Sequence, residues 1–288
     1  MRGAEHLAGI VDMNAWLNVQ PGEEPLIVSL PHAGTSIPEE LEQGLISPWL
    51  TRKDTDWNID RLYDFAAALG ATVVRTAISR TVIDVNRDPL GTSLYPGCAT
   101  TELCPTTTFD GEALYRGEVR PCAEEIARRR KTFFDPYHAA LSQEIARLRR
   151  KHHRIVLYDA HSIRSTIPRL FNGTLPHLNI GTDNGRTAGI DLVRDIEACC
   201  GTSKFSHVTN GRFRGGWTTR HYGDPASGIH AIQMELACRT YMDEPPYVTS
   251  SNWPATYDEA RAADVRALLK DILVCCTNYA RKVSHESP

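Results

Sequence analysis

No hydrophobic run in this sequence approaches the roughly 18 to 20 apolar residues that a membrane-spanning helix needs, so a spanning role is not expected. An excess of one charge is missing too. Lysine and arginine total 32 against 35 acids, a formal net charge of −3, which gives no global attraction to nucleic acid or anionic membrane. A small or neutral partner is therefore the default. The two basic stretches, Arg128-Arg129-Arg130-Lys131 and Arg147 to Arg154, lie in sequence rich in Glu and Ala and read as solvated helix faces. The eight cysteines contain no C-x-x-C spacing, which argues against a zinc knuckle and against a secreted disulfide framework. They read as free thiols of a cytoplasmic protein. Glu5, His6 and Asp12 interrupt any apolar core near the start, so neither a signal nor a transit segment is expected. No low-complexity linker divides the 288 residues, and 41% hydrophobic content supports a large core in one α/β domain or two.

What the chain has is an alternation of short apolar runs with helical periodicity. Leu26 to Leu30, Thr72 to Ala77 and Ile155 to Tyr158 read as buried strands, Thr81 to Val85 continues the pattern, and Ile229 to Glu235 looks like a further strand. Helical spacing predicts a helix over Trp57 to Leu69 with Gly70 as its stop. It predicts helical segments also over Asp110 to about His153, Gly189 to Cys200 and Tyr257 to Lys282. Pro121 and Pro136 fit helix starts or kinks rather than interiors. Asn210 to Gly228, with five glycines, reads as a long functional loop. Strands alternating with helices argue for a layered α/β/α fold.

Polar groups stand where these apolar runs stop. His32 follows the first run, Asn86 and Arg87 follow Val85, Asp159 and His161 follow Tyr158, and Glu235 closes the last, while Asp54-Thr55-Asp56 opens the first helix. Two histidines and a carboxylate with one position left for water form a common catalytic zinc shell, and His32, His161 and either Asp54 or Asp56 satisfy it. Asp159 is a candidate to fix the tautomer of a ligand histidine. Glu235 is a candidate proton shuttle, and Arg80 or Arg87 can hold a substrate carboxylate through the planar guanidinium fork.

Five segments carry a resemblance to a known family: Leu30-Pro31-His32-Ala33-Gly34, Asp54-Thr55-Asp56-Trp57, Ser79 through Arg87, Asp159-Ala160-His161-Ser162 and Gln233-Met234-Glu235-Leu236. With Pro168 to Phe171, Leu178 to Thr182 and the loop from Asn210 to Gly223, the chain resembles the N-formylglutamate amidohydrolases, or deformylases, of histidine degradation. The likeness runs from about residue 25 to 270. It implies a single domain over residues 1–288, with a three-layer α/β/α fold on a mixed central sheet, similar to zinc carboxypeptidases and aspartoacylase-type deacylases (phosphorylase/hydrolase-like).

The resemblance also implies roles. Those relatives take two ligands from a His-x-x-Glu pair, but Thr35 stands three residues after His32, so the carboxylate comes from elsewhere and Asp56, ahead of Trp57, is preferred. Zinc would sit on His32, Asp56 and His161, although two histidines and a carboxylate also suit iron or manganese. Glu235 would be the general base and Arg80 would steady the oxyanion. Asn86 and Arg87 would hold the α-carboxylate, and Arg212, Arg220 and His221 the distal carboxylate of N-formyl-L-glutamate. The products would be formate and L-glutamate. The rival readings are the same chemistry on another N-acyl amino acid or a peptide cut in the carboxypeptidase manner, and a catalytically silent ligand-binding protein.

Overall fold

Short β-branched and apolar runs build the sheet that organises the molecule. In the computed structural model, which describes residues 16–117 and 120–282, seven strands pair into one sheet among the described residues. They are β1 (Leu17–Gln20), β2 (Leu26–Leu30), β3 (Thr72–Thr76), β4 (Ile155–Ile163), β5 (Leu178–Gly181), β6 (His207–Thr209) and β7 (Ile229–Ala237). Their order is β1-β3-β2-β4-β7-β5-β6. The central β3, β2, β4 and β7 run parallel, whereas β1 is antiparallel to β3 and the β5–β6 pair is antiparallel to β7. The sheet is mixed, as expected. The α-helices are α1 (Glu39–Glu42), α2 (Ile59–Leu62), α3 (Ala123–Arg129), α4 (Asp135–Arg149), α5 (Ile190–Gly201), α6 (Trp217–Tyr222) and α7 (Glu259–Arg281).

Strand periodicity distributes side chains to two cores, which makes three layers. Leu26, Val28 and Leu30 of β2 and Val156, Tyr158 and Ala160 of β4 face a core closed by α2, α5 and α7. Helix α7 presents Val265, Leu268, Leu269, Ile272, Leu273 and Cys276 at helical spacing, and its first N–H groups are capped by the Asp258 side chain. Burial of each such side chain contributes about 1.5–3 kcal/mol. The other residues of the same strands, Ile27, Ile155 and Leu157, pack with Ala231 of β7 against Tyr137, Leu141, Ile145 and Leu148 of α4.

Several sequence expectations change here. Thr81 to Val85 is not a strand, because its polar groups close on near neighbours instead of a ladder: Val82 N–H donates to Ser79 O, Asn86 N–H to the Asp84 carboxylate and Arg87 N–H to Asp84 O. The helix expected over Trp57 to Leu69 is one α turn, α2, followed by a 3₁₀ stretch over Asp64–Leu69 that Gly70 ends in the left-handed conformation. Regular helix after Asp110 begins only at Ala123, just past Pro121, and Pro136 stands in the first turn of α4. The loop over Asn210 to Gly228 contains α6. The outer strands β1, β5 and β6 are three or four residues long, too short to announce themselves by alternation. None of the eight cysteines is in a disulfide. The basic stretches spend charge on local ion pairs, Arg128 and Arg129 with Glu125 and Arg147 with Glu144. No helix among the described residues is long and apolar enough to cross a membrane.

The largest correction concerns the strand ends. Strands β4 and β7 do not stop at Tyr158 and at Glu235; they run on to Ile163 and Ala237, so Asp159, His161 and Glu235 lie inside the sheet. The α4-facing row of β4 reads Ile155, Leu157, Asp159, His161, and that of β7 reads Ala231, Gln233, Glu235. Register pairs Asp159 with Gln233 and His161 with Glu235. One sheet face is thus apolar under α4 and polar beyond it, and the polar half is where the site forms.

Candidate active site

Three turns close over this polar face. Pro31 ends β2 and leads into His32, which is held by the Asp56 N–H donating to His32 O at 3.1 Å. Gly34 lets that turn touch the backbone of Ala77 and Ile78, where a Cβ would lie 2.3 Å from Ala77 C. The segment Ser79 to Arg87 supplies Arg80, Asp84, Asn86 and Arg87 from the other side.

His32, Asp56 and His161 come together, buried, with one candidate ligand atom of each within 4.8 Å of the others. Their outward partners fix which atoms face inward. His32 Nε2 lies 2.6 Å from Asp84 Oδ1, an acceptor, so Nε2 carries the proton and the Nδ1 lone pair points back toward Asp56 Oδ2 at 3.7 Å. His161 Nε2 lies 2.8 Å from Asp159 Oδ2, leaving Nδ1 3.1 Å from Asp56 Oδ2. Buried His32 Nδ1 and Asp56 Oδ1 have no hydrogen-bond partner. Buried polar atoms are rarely left so, and a divalent cation on this N/N/O donor set would satisfy both.

Electrostatics agree with that demand. Burial opposes charge on His161, yet Asp159 and Asp56 outweigh it and raise its pKa well above the usual value. Burial likewise opposes ionisation of Asp56 and Asp84, but His161 and His32 hold Asp56 below the usual carboxylate range, and Arg87, His32 and Arg80 hold Asp84 well below it. Glu235 differs. Burial pushes its carboxyl up to about 8, with Asp56 and Asp159 adding to the rise and His161 and Arg80 opposing it. Its Oε2 accepts from Gln233 Nε2 at 3.0 Å, and Gln233 Oε1 in turn accepts from Gly216 N–H at 2.6 Å.

Above these groups is a narrow cavity of about 60 Å³, lined by His32, Arg80, Arg87, His161, Arg212 and Glu235 among others. That space suits a small ligand or a few waters. Arg80 Nη2 donates to Asp84 Oδ2 at 2.7 Å and its guanidinium stacks over Phe109 at 4.7 Å. Arg87 is oriented by Thr101, whose O and Oγ1 accept from Nε and Nη2, each at 3.1 Å. Arg212 donates to Leu170 O and Ala99 O.

Other expected site residues sit elsewhere. Asp54 faces away from the triplet; its Oδ2 accepts from Phe109 N–H at 2.6 Å and Arg164 approaches Oδ1 at 3.5 Å, so it fixes the ring beneath Arg80. Asn86 reaches the cavity wall with both ends engaged. Its Nδ2 donates to Asp159 Oδ2 at 3.0 Å beside His161 Nε2, and Oδ1 accepts from Thr218 N–H at 2.8 Å. Arg220 and His221 do not line the cavity: Arg220 donates to Gly215 O at 3.0 Å, and exposed His221 stacks on Trp217 because both sit on α6, four residues apart. Sequence reasoning gave no role to Asp84, Gln233 or Ser29, whose Oγ donates to Asp159 Oδ1 at 2.8 Å. A signal existed for Asp84, an acid between Ile83 and Val85, and for Gln233, two residues from Glu235 and so on its face of the strand.

The family model described as N-formylglutamate amidohydrolase matches residues 24–242 of the chain. The N-formylglutamate deformylase of Pseudomonas putida is 45% identical over 262 residues, covering 91% of this chain and 95% of the relative. The protein of the same name from Pseudomonas aeruginosa is 44% identical over 263 residues, covering 91% and 97%. Among solved structures, an N-formylglutamate amidohydrolase from Ralstonia eutropha JMP134 superposes with a TM-score of 0.74 at 22% identity, over 93% of this chain and 98% of that one. That last likeness is one of fold.

Proposed function

The chain belongs to the N-formylglutamate amidohydrolase family, and from that premise we propose that it hydrolyses the formamide bond of N-formyl-L-glutamate to formate and L-glutamate with the help of zinc. The observation that carries the reading is the buried His32, Asp56 and His161 triplet, in which His32 Nδ1 and Asp56 Oδ1 lack hydrogen-bond partners and His161 pairs in register with Glu235. A divalent cation held by these three residues supplies Lewis acidity, making water nucleophilic near neutral pH and polarising a carbonyl.

The chain's own groups do the rest. Glu235 accepts a proton from the attacking water as its oxygen bonds to the formyl carbon, then returns that proton to the departing amide nitrogen as the C–N bond breaks. A carboxyl lifted by burial suits both halves of this transfer, since it takes a proton readily near neutral pH and gives it back. Arg80, fixed by Asp84 and Phe109, faces the cavity with a permanent positive charge for the developing oxyanion. Arg87 and Arg212 meet the two carboxylates of the substrate, a pairing that favours a dianion over a neutral amide. Asn86 acts behind them, donating to Asp159 beside His161.

Incubation of the metal-loaded protein with N-formyl-L-glutamate should release formate and L-glutamate in equal amounts. Glu235→Gln should slow this by about 10²- to 10⁴-fold, the usual contribution of a general acid–base, without loss of bound metal. A variant that keeps near wild-type turnover would sink the assignment of Glu235.

A further inference from the structure

We propose that the protein carries an outer anion site, formed by Arg186, Arg214 and Arg220 and walled from the catalytic cavity by Tyr95, that receives a dicarboxylate before it reaches the catalytic arginines. The ligand class rests on the function proposed above; the site itself rests on geometry. A groove of about 430 Å³ runs beside Leu94, Tyr95 and Pro96, roomier than the catalytic cavity, and four arginines line it: the three named and Arg212. A single carboxylate, Asp183, shares the groove, ion-paired with Arg186 and 3.6 Å from Arg220 Nε. No carboxylate lies within ion-pair reach of Arg212 or of exposed Arg214 among the described residues. Ordinary solvated surfaces interleave both signs, and this chain is net acidic, so four arginines against one acid run against both.

Tyr95 is the wall between the two spaces, for it lines both. Its hydroxyl donates to Gly215 O at 2.9 Å and accepts from Arg214 N–H at 3.0 Å, while its ring lies under Arg212 at 5.2 Å and under Arg220 at 5.1 Å. Arg212 borders both spaces, so the groove and the cavity share one guanidinium at the Tyr95 wall. The outer site concentrates substrate at the mouth; it touches no reacting atom. This gives Arg220, absent from the cavity lining, a place on the path.

The test is the double variant Arg186→Gln/Arg214→Gln, with Arg186→Lys/Arg214→Lys as the control that keeps the charge. In low salt the Gln pair should raise KM for N-formyl-L-glutamate at least about threefold with kcat held. High salt should erase the difference, and the Lys pair should restore KM. Equal KM for Gln pair and wild type at low salt would overturn the proposal. Calorimetric titration of N-formyl-L-glutamate into Glu235→Gln protein, with and without the Gln pair, gives a readout independent of turnover. If no protein hydrolyses the compound but the Gln pair still weakens its salt-dependent binding, the functional reading falls and the outer site stands. If the Gln pair leaves binding unchanged, the outer site falls.

Discussion

Asp54 and Asp56 are two residues apart and chemically identical, yet they end on opposite sides of one turn. Asp56 points inward, where Ser162 N–H donates to its Oδ2 and its Oδ1 has no hydrogen bond, with Arg80 Nη1 3.6 Å away. Asp54 is spent on Phe109 and Arg164, and its pKa moves the other way, raised by burial against the pull of Arg164. Metal analysis should separate them. Asp56→Ala should lose most bound metal, whereas Asp54→Ala should keep it and lower kcat by loosening the ring under Arg80. The reverse pattern would exchange the two roles. The sequence could not decide this, since which carboxylate turns inward depends on the backbone of a three-residue turn packed against β4.

Elements hold these residues by close approach. Helix α6 begins at Trp217 directly after Gly216, where a Cβ would lie 2.4 Å from Asn86 Nδ2. Gly216→Ala should therefore push Asn86 off Asp159 and His161 and cut turnover on the order of 10²-fold, with far-UV circular dichroism unchanged. Retained activity would show that Asn86 need not be held there. Helix α4 contributes a different constraint. Its His138 places Nε2 2.8 Å from Val85 O, and burial pushes its pKa down to about 4, with His221 adding and the Val85 bond and the Asp159 and Asp135 charges opposing.

The sign of that shift sets a pH window. The unfolded chain takes up this proton near pH 6.5 and the folded one only near 4, so stability present above 6.5 is lost as pH falls between them. The slope amounts to at most about 1.4 kcal/mol per pH unit. Denaturant unfolding of His138→Gln across that window should show a slope shallower by up to one proton. Equal slopes would place the acid sensitivity elsewhere.

At the scale of the whole molecule, the triplet joins the segment after β2, the turn before α2 and the middle of β4, so ligand binding there couples regions about 130 residues apart in sequence. A cation that binds only the folded state stabilises it by about 4 kcal/mol at a thousandfold excess over Kd. With about 2–4 °C per kcal/mol for a chain near this size, chelation should lower Tm by roughly 10 °C. A Tm unmoved by chelator and by added zinc would argue against a metal at this site.

Composition and local pattern by themselves determined the layered α/β architecture, the central strands and the long helices, because burial periodicity is a local property of the chain. His32, His161, Glu235 and Arg87 were legible as candidates, being polar groups at the ends of apolar runs, whereas Arg80 was legible only as a possible carboxylate anchor. Tertiary structure alone decided that β4 and β7 continue through their polar residues. A strand keeps its hydrogen bonds whatever its side chains, and Asp159, His161 and Glu235 are tolerated inside the sheet because neighbours on their own strands and on the facing turns satisfy them. It alone decided that Asp56 rather than Asp54 turns inward, that Asp84 stands behind His32, and that Arg220 and His221 lie outside the cavity. Each of these depends on which distant segments meet, and no local spacing carries that information.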